Sequence, residues 1–261
     1  MSYAIAVSNE KGGVAKTTTT LSLGAIFAEA GHRVLLIDLD PQANLTLSLG
    51  MEPGAQSVTS SNVLMESASL NEARVRTEIE NLDLVPSHAG IEAAEQYLPV
   101  RTHYTRALRR ALDAASPLPY DFIFLDCLPF LGAITHTALS AADLLIVPTQ
   151  AEFFSAYALR SMMRLLRLVR QESNASLRYR ILITLLDRRN RTHRNIAEQL
   201  QSTFGEGLFR TVIEVDTKLR ESPIAGLPIT RYWPEARGAL QYRELAQELA
   251  EYVQQGVRQV A

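Results

Sequence analysis

Residues 9–20 read Asn9-Glu-Lys-Gly-Gly-Val-Ala-Lys-Thr-Thr-Thr-Thr20, between a short apolar run at 3–8 and a helical pattern at 17–30. A strand, a glycine-rich loop and a helix in this order are typical of a phosphate-binding loop. Backbone N–H groups of such a loop and of the first helical turn point at the anion. We expect Lys16 to add a positive charge at the β- and γ-phosphates and the Thr17 hydroxyl to bind Mg²⁺. The expected phosphate contacts are Gly12, Gly13, Val14, Ala15, Lys16, Thr17 and Thr18.

The loop departs from the strict G-x-x-x-x-G-K-[ST] pattern at two positions. Glu10 and Ala15 stand where that pattern has glycine. An alanine is harmless only where the backbone φ angle is negative, because its Cβ atom disfavours the left-handed region. Whether this loop tolerates Ala15 therefore depends on the φ angle that the backbone adopts there.

Apolar runs and helical patterns alternate along the rest of the chain. Several runs are almost continuously apolar, as parallel strands covered on both faces require. The predicted strands are 3–8, 33–38, 82–86, 121–126, 144–148, 179–185 and 208–215, and the predicted helices are 17–30, 103–115, 153–171, 194–204 and 234–255. Gly31 is expected to end the first helix, and 54–69 is expected to be an irregular surface segment. The pattern predicts a single α/β domain, 1–261, with a mostly parallel twisted sheet and helices on both faces.

Composition excludes several protein classes. No apolar run reaches the roughly 18 residues of a membrane span, and the N-terminus does not resemble a secretory signal. The single cysteine, Cys127, excludes an intramolecular disulfide. The net charge of −2 taken alone disfavours nucleic acid binding. However, 160–194 contains ten arginines and two acids, so this segment has a charge of +8 and the remainder −10.

The stretch Lys11-Gly-Gly-Val-Ala-Lys-Thr-Thr18 resembles the deviant Walker A loop of the ParA/MinD family of P-loop ATPases. The resemblance covers nearly the whole chain and implies the P-loop NTPase fold, with ATP and Mg²⁺ as ligands. It also implies a nucleotide-dependent homodimer in which Lys11 reaches the partner's ATP, as an arginine finger supplied in trans does. Lys11, Lys16 and Asp40 are the catalytic residues that follow from it.

Three further segments extend the resemblance. Asp38-Leu-Asp-Pro-Gln42 is similar to the family's D-x-D-P-Q element, which implies that Asp40 positions the attacking water and that Asp38 lies in the Mg²⁺ shell. Asp126-Cys-Leu-Pro129 is similar to the Walker B segment, with Leu128 in place of a proline. The resemblance thus gives Thr17, Asp38 and Asp126 as metal-site residues. Pro148-Thr-Gln-Ala-Glu152 resembles a segment near the ribose and the dimer interface, which adds Glu152 to the nucleotide contacts.

The family includes several activities, and the sequence favours one. A reductase that holds an iron–sulfur cluster needs two cysteines per subunit, and this chain has one. A MinD-like membrane-associated ATPase remains an alternative, although the glutamates of the final helix, 242–257, oppose binding to anionic lipid, and we expect no stable membrane association. A small-molecule enzyme of the dethiobiotin-synthetase type is the second alternative.

The favoured function is that of a ParA-like partition or positioning ATPase, closest to the short Soj-like members. It would bind nucleoid DNA without sequence preference in the cytoplasm, hydrolyse ATP slowly and be stimulated by a ParB-like partner. No operator-specific extension is expected before Ser2, and the cargo is open. Segment 218–226 resembles the family's R-L-S-E-A-P-S-F-G stretch, although Ile213-Glu-Val-Asp216 replaces the usual I-P-R-N. The expected DNA contacts are Arg160, Arg164, Arg167, Arg188, Arg189, Arg191, Lys218 and Arg220.

Overall fold

The computed structural model describes residues 2–116 and 118–260, without the side chains of 256–260. All named strands belong to one seven-stranded sheet with the order β3-β4-β2-β5-β1-β6-β7. β3 runs antiparallel to β4, and the other neighbouring strands are parallel. The strands are β1 Tyr3–Val7, β2 Val34–Leu39, β3 Val75–Arg76, β4 Leu82–Val85, β5 Phe122–Cys127, β6 Leu144–Gln150 and β7 Arg178–Thr184. The α/β class and the mostly parallel sheet are confirmed.

Helices cover both faces of this sheet. The α-helices are α1 Lys16–Glu29, α2 Asn44–Leu47, α3 Ser60–Leu64, α4 Leu70–Ala73, α5 Ile91–Tyr97, α6 Ala107–Ala114, α7 Ala133–Ala141, α8 Ser155–Glu172, α9 Arg191–Phe204, α10 Lys218–Glu221, α11 Ile229–Tyr232 and α12 Arg237–Val260. Short 3₁₀ turns lie at Leu98–Val100, Tyr104–Arg106 and Gly205–Gly207. Within the described ranges, no helix is both long and apolar enough to cross a bilayer.

The side-chain alternation of the central strands builds two cores. In β1, Ile5 and Val7 face a core that includes α1 and α12, whereas Ala4 and Ala6 face a core that includes α6, α7 and α8. All six residues of β2 and all six of β5 are buried, which explains why these strands appear in the sequence as continuous apolar runs. Gly24 allows α1 to lie close to β2, because a Cβ atom there would come within 2.6 Å of Leu36.

The predicted strand at 208–215 is wrong. Two isolated bridges, between Ile181 and Leu208 and between Leu186 and Glu214, and four backbone hydrogen bonds join this segment to residues 181–186, but they do not form a continuous ladder. The backbone N–H groups of Arg210 and Thr211 donate to the Glu248 carboxylate on α12, at 2.8 and 3.0 Å. Because these donors are used by a side chain, a continuous ladder with β7 cannot form.

Several predicted helices also change. α7 and α5 were not predicted, and the predicted helix at 103–115 is divided into a 3₁₀ turn and α6. Every residue of α7 is buried, so its sequence has no polar face to reveal helical periodicity. The segment 54–69 is not wholly irregular, since it contains α3 with buried Val63 and Leu64. Gly31 does follow the first helix with a φ of 89°, as expected.

Candidate nucleotide site

The loop between β1 and α1 is fixed to the ends of its neighbouring strands. The Asn9 amide donates to the Pro148 carbonyl at 2.7 Å, and its oxygen accepts from the Lys11 backbone N–H at 3.0 Å. From β7, the Thr184 hydroxyl donates to the Val14 carbonyl at 3.0 Å. These bonds hold the loop at the carboxyl ends of the parallel strands, where ligands bind in open α/β sheets.

Two residues of the loop adopt left-handed backbone conformations. Gly13 has a φ of 71° and Ala15 a φ of 66°. The condition under which Ala15 would be harmless, a negative φ, is therefore not met. The Ala15 carbonyl accepts from the Thr19 backbone N–H at 2.9 Å and so begins the hydrogen-bond pattern of α1. For an alanine this conformation costs roughly 1–2 kcal/mol, which the surrounding bonds must offset.

Lys16 is nearly buried at the base of this loop, with 7% of its surface exposed. Its Nζ donates to the Lys11 carbonyl at 3.1 Å. Burial lowers the pKa of the ammonium, while the charges of Asp126 and Asp40 raise it in part. A partly desolvated lysine with one neutral acceptor is well placed to bind an incoming phosphate oxygen.

A cavity of about 550 Å³ opens beside the loop. This volume lies in the range of small-molecule and cofactor sites, roughly 300–1,000 Å³. Its wall includes six of the predicted nucleotide contacts, which are Gly12, Gly13, Ala15, Lys16, Thr17 and Thr18. Lys11, Val14 and Glu152 were also predicted, but they are not part of the wall.

The opposite part of the cavity consists of residues that sequence reasoning did not assign to the nucleotide. Leu219, Pro223 and Ile229 supply an apolar surface there, and Arg220 lies beside them. The structure thus places Arg220, a predicted DNA contact, in the cavity wall. No local motif marks this surface, because it depends on how α10 and α11 pack against the distant loop.

Buried carboxylates lie behind the cavity. Asp126, at the end of β5, accepts from the Thr17 hydroxyl at 2.7 Å and from the Thr20 hydroxyl at 3.2 Å. Burial, with a further contribution from Asp38, raises the pKa of Asp126 to about 8. Asp38 lies opposite it on β2. Burial likewise raises the pKa of Asp38 to about 6, against the opposing effect of its hydrogen bonds from Thr46 and from the Asp40 backbone.

Asp40 has a different position from these two carboxylates. It lines the cavity, is 6% exposed, and one of its oxygens accepts from the Gln42 backbone N–H at 2.9 Å. The turn after β2 thus brings Asp40 to the same space as Lys16 and Thr17. Such a carboxylate can accept a hydrogen bond from a water molecule inside the cavity.

The donor set suits Mg²⁺ held jointly with phosphates. Among the described residues, no group of three or more His, Cys, Asp or Glu side chains is arranged to hold a metal alone. Mg²⁺ typically keeps several waters and uses one or two protein oxygens together with substrate phosphates. The Thr17 hydroxyl, which lines the cavity and bonds to Asp126, fits that mode of binding. Asp38 already accepts three hydrogen bonds, and its place in the metal shell stays a prediction.

Lys11 is bound within its own chain. Its Nζ contacts Glu152 Oε2 at 2.5 Å and Gln150 Oε1 at 2.8 Å. The Gln150 amide also donates to the Gly13 carbonyl at 3.1 Å. The Lys11 side chain is 26% exposed and that of Glu152 is 45% exposed. Lys11 and Glu152 therefore form an ion pair at the surface, next to the loop.

Comparison with known proteins identifies the family. A family model described as an AAA domain matches residues 2–179. The chain is 38% identical over 252 residues to the sporulation initiation inhibitor protein Soj of Bacillus subtilis, which covers 96% of this chain and 99% of that protein. The chain belongs to the ParA/MinD family of P-loop ATPases. The resemblance of the loop at 11–18 is thereby confirmed.

Two solved structures with bound ADP and magnesium agree with this assignment. Cobyrinic acid a,c-diamide synthase from Mycobacterium smegmatis, with bound ADP and magnesium, superposes with a TM-score of 0.84 at 34% identity, covering 98% of this chain and 97% of that chain. The septum site-determining protein MinD from Pyrococcus horikoshii, complexed with Mg-ADP, gives a TM-score of 0.78 at 26% identity, covering 97% and 98%. The P-loop NTPase fold is thus confirmed.

Apart from Arg220, the predicted DNA contacts of this ParA/MinD family chain fall into two groups, those without and those with an ion-pair partner. Arg160, Arg164 and Arg167 lie on the exposed side of α8, and Arg191 is exposed at the start of α9. Within 2–116 and 118–260, none of these four has an ion-pair partner. In contrast, ion pairs join Arg188 to Glu214, Arg189 to Asp187 and Lys218 to Glu221.

The charge of +8 in 160–194 is not all available at the surface. The guanidinium groups of Arg178 and Arg180 lie over the Tyr252 ring, at 5.3 and 4.1 Å from its centroid. Arg170 donates to the Leu177 carbonyl at 2.8 Å. These three arginines are half-buried and pack around β7, so their N–H donors are less accessible to a ligand than those of the exposed arginines.

Proposed function

We propose that this chain is a ParA-type positioning ATPase that binds ATP with Mg²⁺, dimerises in the ATP-bound state and then binds DNA without sequence preference. The observation that supports the proposal most directly is the meeting of Lys16, Thr17 and Asp40 in one cavity beside the phosphate loop. Hydrolysis of ATP needs positioning and charge neutralisation more than covalent chemistry, and these residues supply both.

Each residue has a part in this chemistry. The loop N–H groups and Lys16 would hold the phosphates, and the apolar surface of Leu219, Pro223 and Ile229 suits a nucleobase. Bound Mg²⁺ would neutralise phosphate charge next to the Thr17 hydroxyl. Asp40 would orient the attacking water, since its carboxylate reaches the same cavity.

The position of Lys11 supports the proposed dimer. It lies outside the cavity of its own chain, in the surface ion pair with Glu152. A second chain facing this surface could receive Lys11 at its own phosphates, as a finger supplied in trans. In a single chain, the phosphates would lack the charge that Lys11 of a second chain supplies. We therefore expect slow basal hydrolysis and stimulation by a ParB-like partner.

DNA binding would use the unpaired arginines of α8 and α9. Arg160, Arg164, Arg167 and Arg191 are exposed, and together with Arg189 and Lys218 they supply cations for phosphates. Binding of this kind has no sequence preference and falls steeply with salt. It would place the protein on the nucleoid, with a chromosome, a plasmid or a protein assembly as cargo.

The decisive experiment measures binding to a non-specific DNA duplex with and without ATP at several salt concentrations. We expect tight, salt-sensitive binding only with ATP. Lys16→Ala should abolish it by removing nucleotide binding, whereas Arg189→Glu should abolish it with ATP binding retained. Rapid turnover by the isolated protein, or DNA binding that ignores both ATP and salt, would contradict the proposal. Anionic liposomes in parallel test the MinD-like alternative, for which binding to vesicles should replace binding to DNA.

A second candidate rests on the similarity to cobyrinic acid a,c-diamide synthase. In that case the cavity would bind the ATP for an amidation of a carboxylic acid such as cobyrinic acid. ATP turnover would then depend on that acid and on an ammonia source, and it would be indifferent to DNA. Assaying ATP hydrolysis with cobyrinic acid and glutamine, and separately with DNA, separates the two functions.

A further inference from the structure

In segment 214–216, Glu214 and Asp216 flank a valine, where the family pattern has proline, arginine and asparagine. Both carboxylates bind neighbouring groups in the structure. Glu214 Oε1 binds Arg188 Nε at 2.5 Å, and Glu214 Oε2 binds Arg237 Nη1 at 3.0 Å. One carboxylate therefore holds two guanidinium groups side by side, one from the loop after β7 and the other from the first residue of α12.

Glu214 is itself held firmly. Its side chain is only 13% exposed, and its backbone N–H donates to the Gln241 amide oxygen on α12 at 2.9 Å. The bridge between Leu186 and Glu214 fixes the same residue to the end of β7. The Arg237 Nη2 group also donates to the Val215 carbonyl. The two arginines thus have a fixed separation, set by backbone as well as by charge.

Both guanidinium groups remain open to solvent on their other sides. The side chain of Arg188 is 65% exposed and that of Arg237 is 56% exposed. A guanidinium has five N–H donors in a planar fork, so each keeps donors that Glu214 does not use. Arg188, Arg237 and Glu214 together have a net charge of +1.

The pair also adjoins a residue already expected to contact DNA. Asp216 accepts from the Lys218 backbone N–H and from the Gly238 backbone N–H, both at 2.9 Å, and so joins the start of α10 to the start of α12. The Lys218 ammonium lies 4.7 Å from the centroid of the Trp233 ring. The start of α12 is therefore part of the same surface as Lys218.

We propose that Arg237 contacts DNA phosphate together with Arg188, and that Glu214 positions the two arginines for it. The inference rests on the proposed DNA binding and adds α12 to the interacting surface. Fixed guanidinium groups lose little conformational freedom when they bind phosphate, which favours this pair over more mobile lysines. Arg237 gave no signal in the sequence, because its partner lies 23 residues earlier and its surroundings form no motif.

The test is the salt dependence of DNA binding by the ATP-loaded full chain. The logarithm of the DNA association constant falls linearly with the logarithm of the salt concentration. Loss of one phosphate contact makes this negative slope shallower by about 0.9. Arg237→Gln should show this decrease and several-fold weaker binding, and the double variant with Arg188→Gln should lose about two such units. Arg237→Lys should keep the slope, because it keeps the charge. ATP affinity should stay unchanged in Arg237→Gln, whereas a modest fall in the melting temperature is expected because Glu214 loses one of its two partners.

Arg210→Gln is the matched control. Arg210 is also an exposed arginine paired with acids, here Glu248 and Glu251 in the middle of α12. Its removal changes the net charge equally and should leave the slope unchanged. If wild-type protein binds DNA and Arg237→Gln behaves like Arg210→Gln, the inference is wrong. If wild-type protein binds no DNA, the proposed function itself fails.

Discussion

At the scale of single residues, the phosphate loop combines a strained backbone with bonds that hold it. Ala15 occupies the left-handed region, yet its neighbours Val14 and Gly13 are tied to β7 and β6 through their carbonyls. An alanine restricts the loop more than a glycine would, because it has fewer alternative conformations. The site therefore gains a more rigid loop at the cost of local strain.

This strain leads to a prediction for Ala15→Gly. Glycine adopts the observed φ of 66° without penalty, so we expect the free energy of unfolding to rise by about 0.5–1 kcal/mol. Urea unfolding without nucleotide measures it. Ala156→Gly in the exposed part of α8 is the control, and it should instead destabilise by about 0.5–1 kcal/mol. Equal destabilisation in both variants would show that Ala15 is not strained.

At the scale of elements, the packing of α7 against α8 contains a buried titratable group. His136, on α7, has a side chain that is 8% exposed and lies 3.8 Å from the Glu172 carboxylate of α8. The Tyr104 ring meets it edge-on at 6.1 Å between centroids. Burial lowers the pKa of His136 below its ordinary value, and Glu172 only partly opposes this. Protonation of the imidazole is therefore disfavoured in the folded protein.

The sign of the resulting pH dependence follows from linkage. A group whose folded-state pKa is depressed contributes stability above its ordinary pKa, here 6.5, and that stability is lost as the pH falls. We expect wild-type protein to lose more unfolding free energy between pH 7 and pH 5 than His136→Gln does. Urea unfolding of both proteins across this range measures the difference. Parallel pH profiles would mean that His136 does not contribute.

The elements also show how far the sequence alone reaches. The strands β1, β2 and β5 and the loop before α1 were predictable, because continuous apolar runs and a local motif specify them. The absence of a strand at 208–215 was not, since it depends on Glu248, more than thirty residues away. The apolar cavity wall at Leu219 and Ile229 was missed for the same reason, and Lys11 could be assigned a role only through the family resemblance.

At the scale of the whole molecule, the proposed cycle requires two chains. Asp40→Ala should allow ATP to bind but not to be hydrolysed, because the water loses its orienting carboxylate. The expected product is a stable ATP-bound dimer with twice the 28.9 kDa mass of the chain. Size-exclusion chromatography with light scattering measures it.

The double variant with Lys11→Ala is the control for this experiment, and it should remain monomeric with ATP bound. A single Asp40→Ala variant that binds ATP and stays monomeric would contradict the proposed dimer. The two variants together separate nucleotide binding from association.

Helix α12 connects the proposed DNA surface with the helix that follows the phosphate loop. Its first residue, Arg237, lies at the proposed DNA surface, and Tyr242, one turn further along, bonds to the Thr19 hydroxyl of α1 at 3.0 Å. Thr19 follows the phosphate loop by less than one helical turn. If ATP strengthens DNA binding by some factor, thermodynamic reciprocity requires DNA to strengthen ATP binding by the same factor. Under the proposed DNA binding, a DNA-bound chain should therefore reach half-saturation at a lower ATP concentration than a chain free in solution.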